Sequence, residues 1–87
     1  MDLPGADLVE QGIRDLADGC ETVEALLVSI GASRISALGR ELPPTIDDPE
    51  LRLYGLLAEE DQDSAHGRYN ALIRRLVSYE RAAECAS

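Results

Sequence analysis

The sequence predicts an all-α fold: a small bundle of about four helices, the second broken at Gly31, built around a C-terminal helical hairpin and filling residues 1–87 as a single domain. Three observations carry this expectation. Apolar residues recur at helical spacing along most of the chain, capping and stop residues punctuate them, and no stretch alternates apolar and polar residues for long enough to make a strand.

The first helix is expected from Ala6 to Asp18, where Val9, Ile13, Leu16, Ala17 and Cys20 fall on one narrow arc. Asp7 and Glu10 suit its positive end, Gly19 is a natural stop, and Leu8 falls off the stripe. Thr22 then caps a short helix whose Val23, Leu26, Leu27 and Ile30 recur at i, i+3, i+4, i+7. Gly31 ends that helix, and Ser33 offers a new cap for a turn or two carrying Ile35 and Leu38 before Gly39. Pro43 and Pro44 make a rigid connector, because residues before proline are pushed out of the helical region.

A third helix is expected from Pro49 to Glu60, with Asp48 as cap, Pro49 in the first turn and Glu50 near the positive end. Its Leu51, Leu53, Tyr54, Leu56, Leu57 and Ala58 spread over an arc of roughly 220° at about 100° per residue. One neighbouring helix cannot cover that much, so either this helix lies in the middle of the domain or part of the face, Leu51 and Leu56 in particular, is expected to meet a partner. The polar Asp61-Gln62-Asp63 link is short enough to fold the last helix back as a hairpin.

That last helix, Ser64 to Cys85, is the longest. Ala65, Tyr69, Leu72, Leu76, Tyr79 and Ala83 form its core stripe, and Arg68, Arg74, Arg75 and Arg81 lie on the opposite side. Glu80 falls on the apolar side, where a charge has to be paired, near a frayed end, or facing an arginine of another chain.

Composition bounds the function. All eight basic residues are arginines, against seventeen acidic ones, and the net charge is −9. Diffuse acidity of this kind repels nucleic acid and anionic membrane alike. The first residues carry Asp2 and Asp7 rather than a basic cluster followed by an apolar run, so the expected location is the cytoplasm. Cys20 and Cys85 are then expected as reduced thiols. An 87-residue chain buries only about 60 to 65% of its unfolded surface and is marginally stable, which a partner subunit would relieve.

Catalytic and metal motifs are sparse. Asp63 and His66 stand at i, i+3 near Glu59, Glu60 and Asp61, but a carboxylate-bridged bundle site needs matching units on other helices, and no second histidine supplies one. They are weak metal candidates, and no cofactor or catalytic residue is expected. Leu26 to Gly39 resembles half of a helix-hairpin-helix motif, with Gly31 as its second glycine and Leu38 as its anchor; Ser29 and Ile35 depart from that pattern.

The functional expectation is a small acidic interaction or regulatory module, forming a homodimer or serving a larger protein. Its partner-binding residues are Arg68, Arg74, Arg75, Arg81, Leu51 and Leu56. The alternative is a DNA-associated regulator using the arginine side of the last helix.

Overall fold

The computed structural model describes residues 3–86. It contains five helices: α1 (Ala6–Ala17), α2 (Val23–Ile30), α3 (Ala32–Ala37), α4 (Pro49–Glu60) and α5 (Ala65–Ala86), with no strand among the described residues. The all-α bundle, the break at Gly31 and the C-terminal hairpin are all present, since α4 packs against α5.

The most enclosed element is nevertheless α2. Ala25, Leu26, Leu27 and Val28 are fully buried, and α1, α3, α4 and α5 all pack on this helix. The physical reason is composition. A helix that is apolar around its whole circumference has no face for water, and Val23–Ile30 carries only Glu24 and Ser29 as polar residues. Eight residues would not hold a helix in isolation, so α2 exists because four neighbours surround it. Spacing alone singled out Val23 and Ile30, which are only half-buried, and passed over Ala25 and Val28, which are completely buried.

The backbones of α1 and α2 approach closely at Gly12. A Cβ placed there would overlap both the Glu24 carbonyl oxygen and Val28 Cγ2. Glycine inside a helix ordinarily costs about 1 kcal/mol relative to alanine. Here the missing side chain is what lets the two backbones meet.

Thr22 joins the same two helices. Its Oγ1 accepts from the Ala25 N–H at 3.1 Å and donates to Asp15 Oδ2 at 2.6 Å, so one hydroxyl caps α2 and grips α1. That bond, followed by one from Gln11, holds the Asp15 carboxyl below its usual 3.8. Thr22→Ala is expected to lower stability by about 1–2 kcal/mol and to let the Asp15 carboxyl rise toward its ordinary value. Urea unfolding and a carboxyl NMR titration measure the two effects, and an unmoved Asp15 would contradict the shared hydroxyl.

Four local expectations change. Cys20 is exposed and lies past the end of α1. The helix stops in a paired-bond cap, with Gly19 N–H on Leu16 O and Cys20 N–H on Asp15 O, and Gly19 at φ 74° turns the chain before the stripe can continue. Ser33 is not a cap: α3 starts directly after Gly31, and Ser33 sits exposed within it. Asp48 precedes α4 but its side chain caps nothing; its backbone is left-handed at φ 50°. Proline at the next position disfavours the right-handed region, and aspartate is among the few residues that tolerate the left-handed one. Ser64, expected as the first residue of the last helix, stands just before α5, and its hydroxyl donates back to the Asp61 carbonyl at 3.4 Å.

The chain between α3 and α4 is tied down by Ser29, whose buried hydroxyl donates to Ala25 O at 2.9 Å and accepts from Ile46 N–H at 3.1 Å. Surface ion pairs cross between segments rather than running along them. Arg40 forks onto Glu10 at 2.7 and 3.1 Å, and Arg52 reaches Glu21 at 2.7 Å. The Arg40 bond holds the Glu10 carboxyl below its usual 4.5.

Glu80 is buried, as its place on the apolar side of α5 implied, and only 3% of it is exposed. Its nearest cation is Arg34 of the same chain, with Oε1 3.9 Å from the guanidinium, and Oε2 has no hydrogen-bond partner. Burial pushes this carboxyl above its usual 4.5, with Arg34 opposing and Glu84 adding to the rise. An arginine from a second chain is therefore not required to explain Glu80.

Candidate functional site

The outer face of α4 carries the apolar surface that the fold does not use. Leu53 and Leu57 point into the core and are fully buried, because they lie on the side facing α2. Leu51 is 78% exposed and Tyr54 is 40% exposed, three residues apart and so on neighbouring positions of one face. Leu56, expected beside Leu51 in a partner surface, is half-buried and packs against the core. The wide arc of α4 is thus divided: Leu53 and Leu57, with Leu56 and Ala58 in part, face the bundle, and Leu51 and Tyr54 are left outside it.

That remainder extends onto α5. The Tyr54 ring lies 5.8 Å from the Tyr69 ring and 6.4 Å, edge-on, from the His66 ring. Desolvation, followed by the charge of Glu50, raises the Tyr69 hydroxyl above its usual 10.0. Tyr69 is half-buried, so it belongs partly to the core and partly to this seam. Helical spacing places Tyr54 in the apolar arc but not among the partner residues, and it places Tyr69 on the core stripe of the last helix. The surplus width of the arc was the only available signal for Tyr54. Beside Leu51 stands Gly55, with nothing within 4 Å of where a Cβ would be.

The four arginines of α5 do not form one face. Arg68 and Arg75 are seven residues apart and point the same way, as do Arg74 and Arg81, and the two stripes are separated by roughly 100°. Arg68 and Arg75 rim a groove of about 530 Å³ floored by Leu8, Val23, Ala71 and Leu72, with Glu24 and Glu60 completing the rim. Both of these arginines are engaged: Arg68 with Glu60 at 2.7 Å and Arg75 with Asp7 at 3.3 Å. Arg74 and Arg81 are exposed, and among the described residues they pair with no carboxylate.

Asp63 and His66 are not gathered into a metal centre. His66 Nε2 lies 3.2 Å from Asn70 Nδ2, and the Asp63 N–H is turned onto Asp61 Oδ1 at 3.1 Å. Among the described residues no three of histidine, cysteine, aspartate and glutamate come together in a set able to hold an ion. Cys20 and Cys85 are both free and exposed. Among the described residues no helix is long and apolar enough to cross a membrane. In comparison with protein-family models, curated proteins and solved structures, the chain matches none of them significantly.

Proposed function

We propose that this chain is a small interaction or regulatory module that forms a homodimer through the outer face of α4, and that it acts in the cytoplasm, where its two free thiols would stay reduced. The observation that carries the reading is the exposure of Leu51 and Tyr54 on one helix face. A two-fold contact of α4 with its copy would bring the same patch together from both sides. Gly55 would leave room for the partner's leucine.

Magnitude sets the expected strength. Burying a large apolar side chain contributes about 1.5–3 kcal/mol, and Tyr54 is already more than half covered. Association itself costs an estimated 4–15 kcal/mol, and two acidic chains repel each other. The dimer is therefore expected to be weak, forming at high micromolar concentration and strengthening as salt screens the repulsion. Sedimentation equilibrium across protein concentration and ionic strength tests this. Leu51→Glu is expected to leave a monomer with unchanged helix content. A wild-type chain that stays monomeric into the millimolar range at high salt would end the homodimer reading and leave a larger protein as the partner.

The DNA-associated alternative draws less support. With Arg68 and Arg75 held by carboxylates, Arg74 and Arg81 would neutralise about two phosphates, enough for a shallow salt dependence but too few for firm binding by an acidic chain.

A further inference from the structure

Between α3 and α5 lies a second cleft, of about 310 Å³, with Gly31, Arg34 and Glu80 among its lining residues. Its walls are aliphatic: Ile30, Ile73, Leu76 and Val77. Most buried carboxylates are surrounded by donors, because an ionised group without them carries an uncompensated desolvation cost of several kcal/mol. Glu80 is not surrounded in this way. Oε2 has no donor, and Oε1 is 3.9 Å from Arg34, beyond hydrogen-bond reach. Arg34 in turn is 62% exposed along its side chain and stands at the rim with its guanidinium donors unspent on Glu80.

Gly31 makes this arrangement possible. A Cβ there would lie 2.9 Å from Oε2 and 3.0 Å from both methyls of Leu76. The missing side chain lets the carboxylate pack against the Gly31 backbone, where Oε2 is covered and has no donor, while Oε1 faces Arg34.

We infer that this cleft binds a small zwitterion with an aliphatic body, a free aliphatic amino acid, its ammonium group on Glu80 and its carboxylate on Arg34. The charge pattern selects that class. A simple amine would meet Glu80 but compete with Arg34 for it. A simple carboxylate would meet Arg34 but face Glu80, with the charge of Glu84 acting in the same sense. A dipolar ligand satisfies both ends, and Ile30, Ile73, Leu76 and Val77 take its hydrocarbon. The cleft volume lies at the small end of ligand sites. The inference does not depend on self-association, since α4 takes no part in the cleft.

The test is an amide NMR titration of the isotope-labelled chain at neutral pH with leucine. Two controls each lack one charge: 3-methylbutylamine and 4-methylpentanoate. Leucine is expected to shift the Gly31 and Arg34 amides saturably, and to bind at least about tenfold more tightly than either control, a difference of about 1.4 kcal/mol. Glu80→Gln should weaken leucine by about the same factor while the helical circular dichroism stays intact. Arg34→Met, a surface change that leaves the core alone, should abolish the preference for leucine over 3-methylbutylamine. The inference is overturned if leucine, isoleucine and valine give no saturable shift at millimolar concentration. It is also overturned if 3-methylbutylamine matches leucine on the wild-type chain, or if Arg34→Met keeps the preference.

Discussion

Gly12→Ala is expected to destabilise the protein by about 3 kcal/mol. Overpacking typically costs about 1–3 kcal/mol, and two features put this site at the upper end. The atoms that an added methyl would meet include the Glu24 carbonyl, which is backbone and cannot swing aside as a side chain can. The relief available is to move α1 off α2, which would loosen Val9 and Leu16, both buried. The gain in helix propensity, about 1 kcal/mol, offsets only part of this. For a domain of this size each kcal/mol corresponds to about 4–8 °C in Tm, so the midpoint should fall by roughly 10–20 °C. Gly55→Ala is the control. It lies within a helix and has open space around it, so it should raise stability by about 0.5–1 kcal/mol. If Gly12→Ala proved as stable as the wild type, the close crossing of α1 and α2 would be wrong.

Removing a charge from the core is expected to have the opposite sign. Glu80→Met should stabilise the protein at neutral pH by about 1–3 kcal/mol, because a buried carboxylate short of donors gives way to an apolar chain of similar length. Arg34 loses little, since it is mostly in water already.

The effect should depend on pH in a defined direction. Burial raises the Glu80 carboxyl in the folded chain above its ordinary 4.5, so the folded state holds this proton more tightly than the unfolded one. Wild-type stability from this group is therefore fully present below 4.5 and is lost as pH rises through the folded value. The advantage of Glu80→Met should be greatest above that folded value and should shrink as pH falls toward 4.5. At lower pH both proteins should weaken together. Asp15 and Glu10 are held below their usual values by Thr22 and Arg40, and those bonds are lost once the carboxylates are protonated. Thermal melts of both proteins across this range supply the comparison, and a Glu80→Met that is less stable than wild type at every pH would contradict the account.

Glu80 separates what a single helix encodes from what the packing of helices adds. Helical spacing placed the residue on the apolar side of α5, and its burial follows directly. Spacing could not say which cation faces it, because Arg34 lies 46 positions earlier in the chain and comes near only when α3 turns back at Gly31. The arginines of α5 behave similarly. Their positions on the helix follow from their numbers, but their engagement with Glu60 and Asp7 depends on how α4 and α1 lie against it. Leu56 and Tyr54 exchanged roles for the same reason, since an arc of apolar residues shows how much surface must be covered and not which edge the neighbours cover.

By itself, the sequence determined the helices and most of their ends. These depend on interactions within a few residues: the Thr22 cap, Pro49 in the first turn of α4, the stop at Gly19 and the break at Gly31. Only the tertiary structure decided that α2 is the centre, that Gly12 is a crossing point, and that Glu80 faces Arg34 across a cleft. Each of those is a relation between residues far apart in the chain, set by which faces pack together, and periodicity along one helix carries no information about the surface of another.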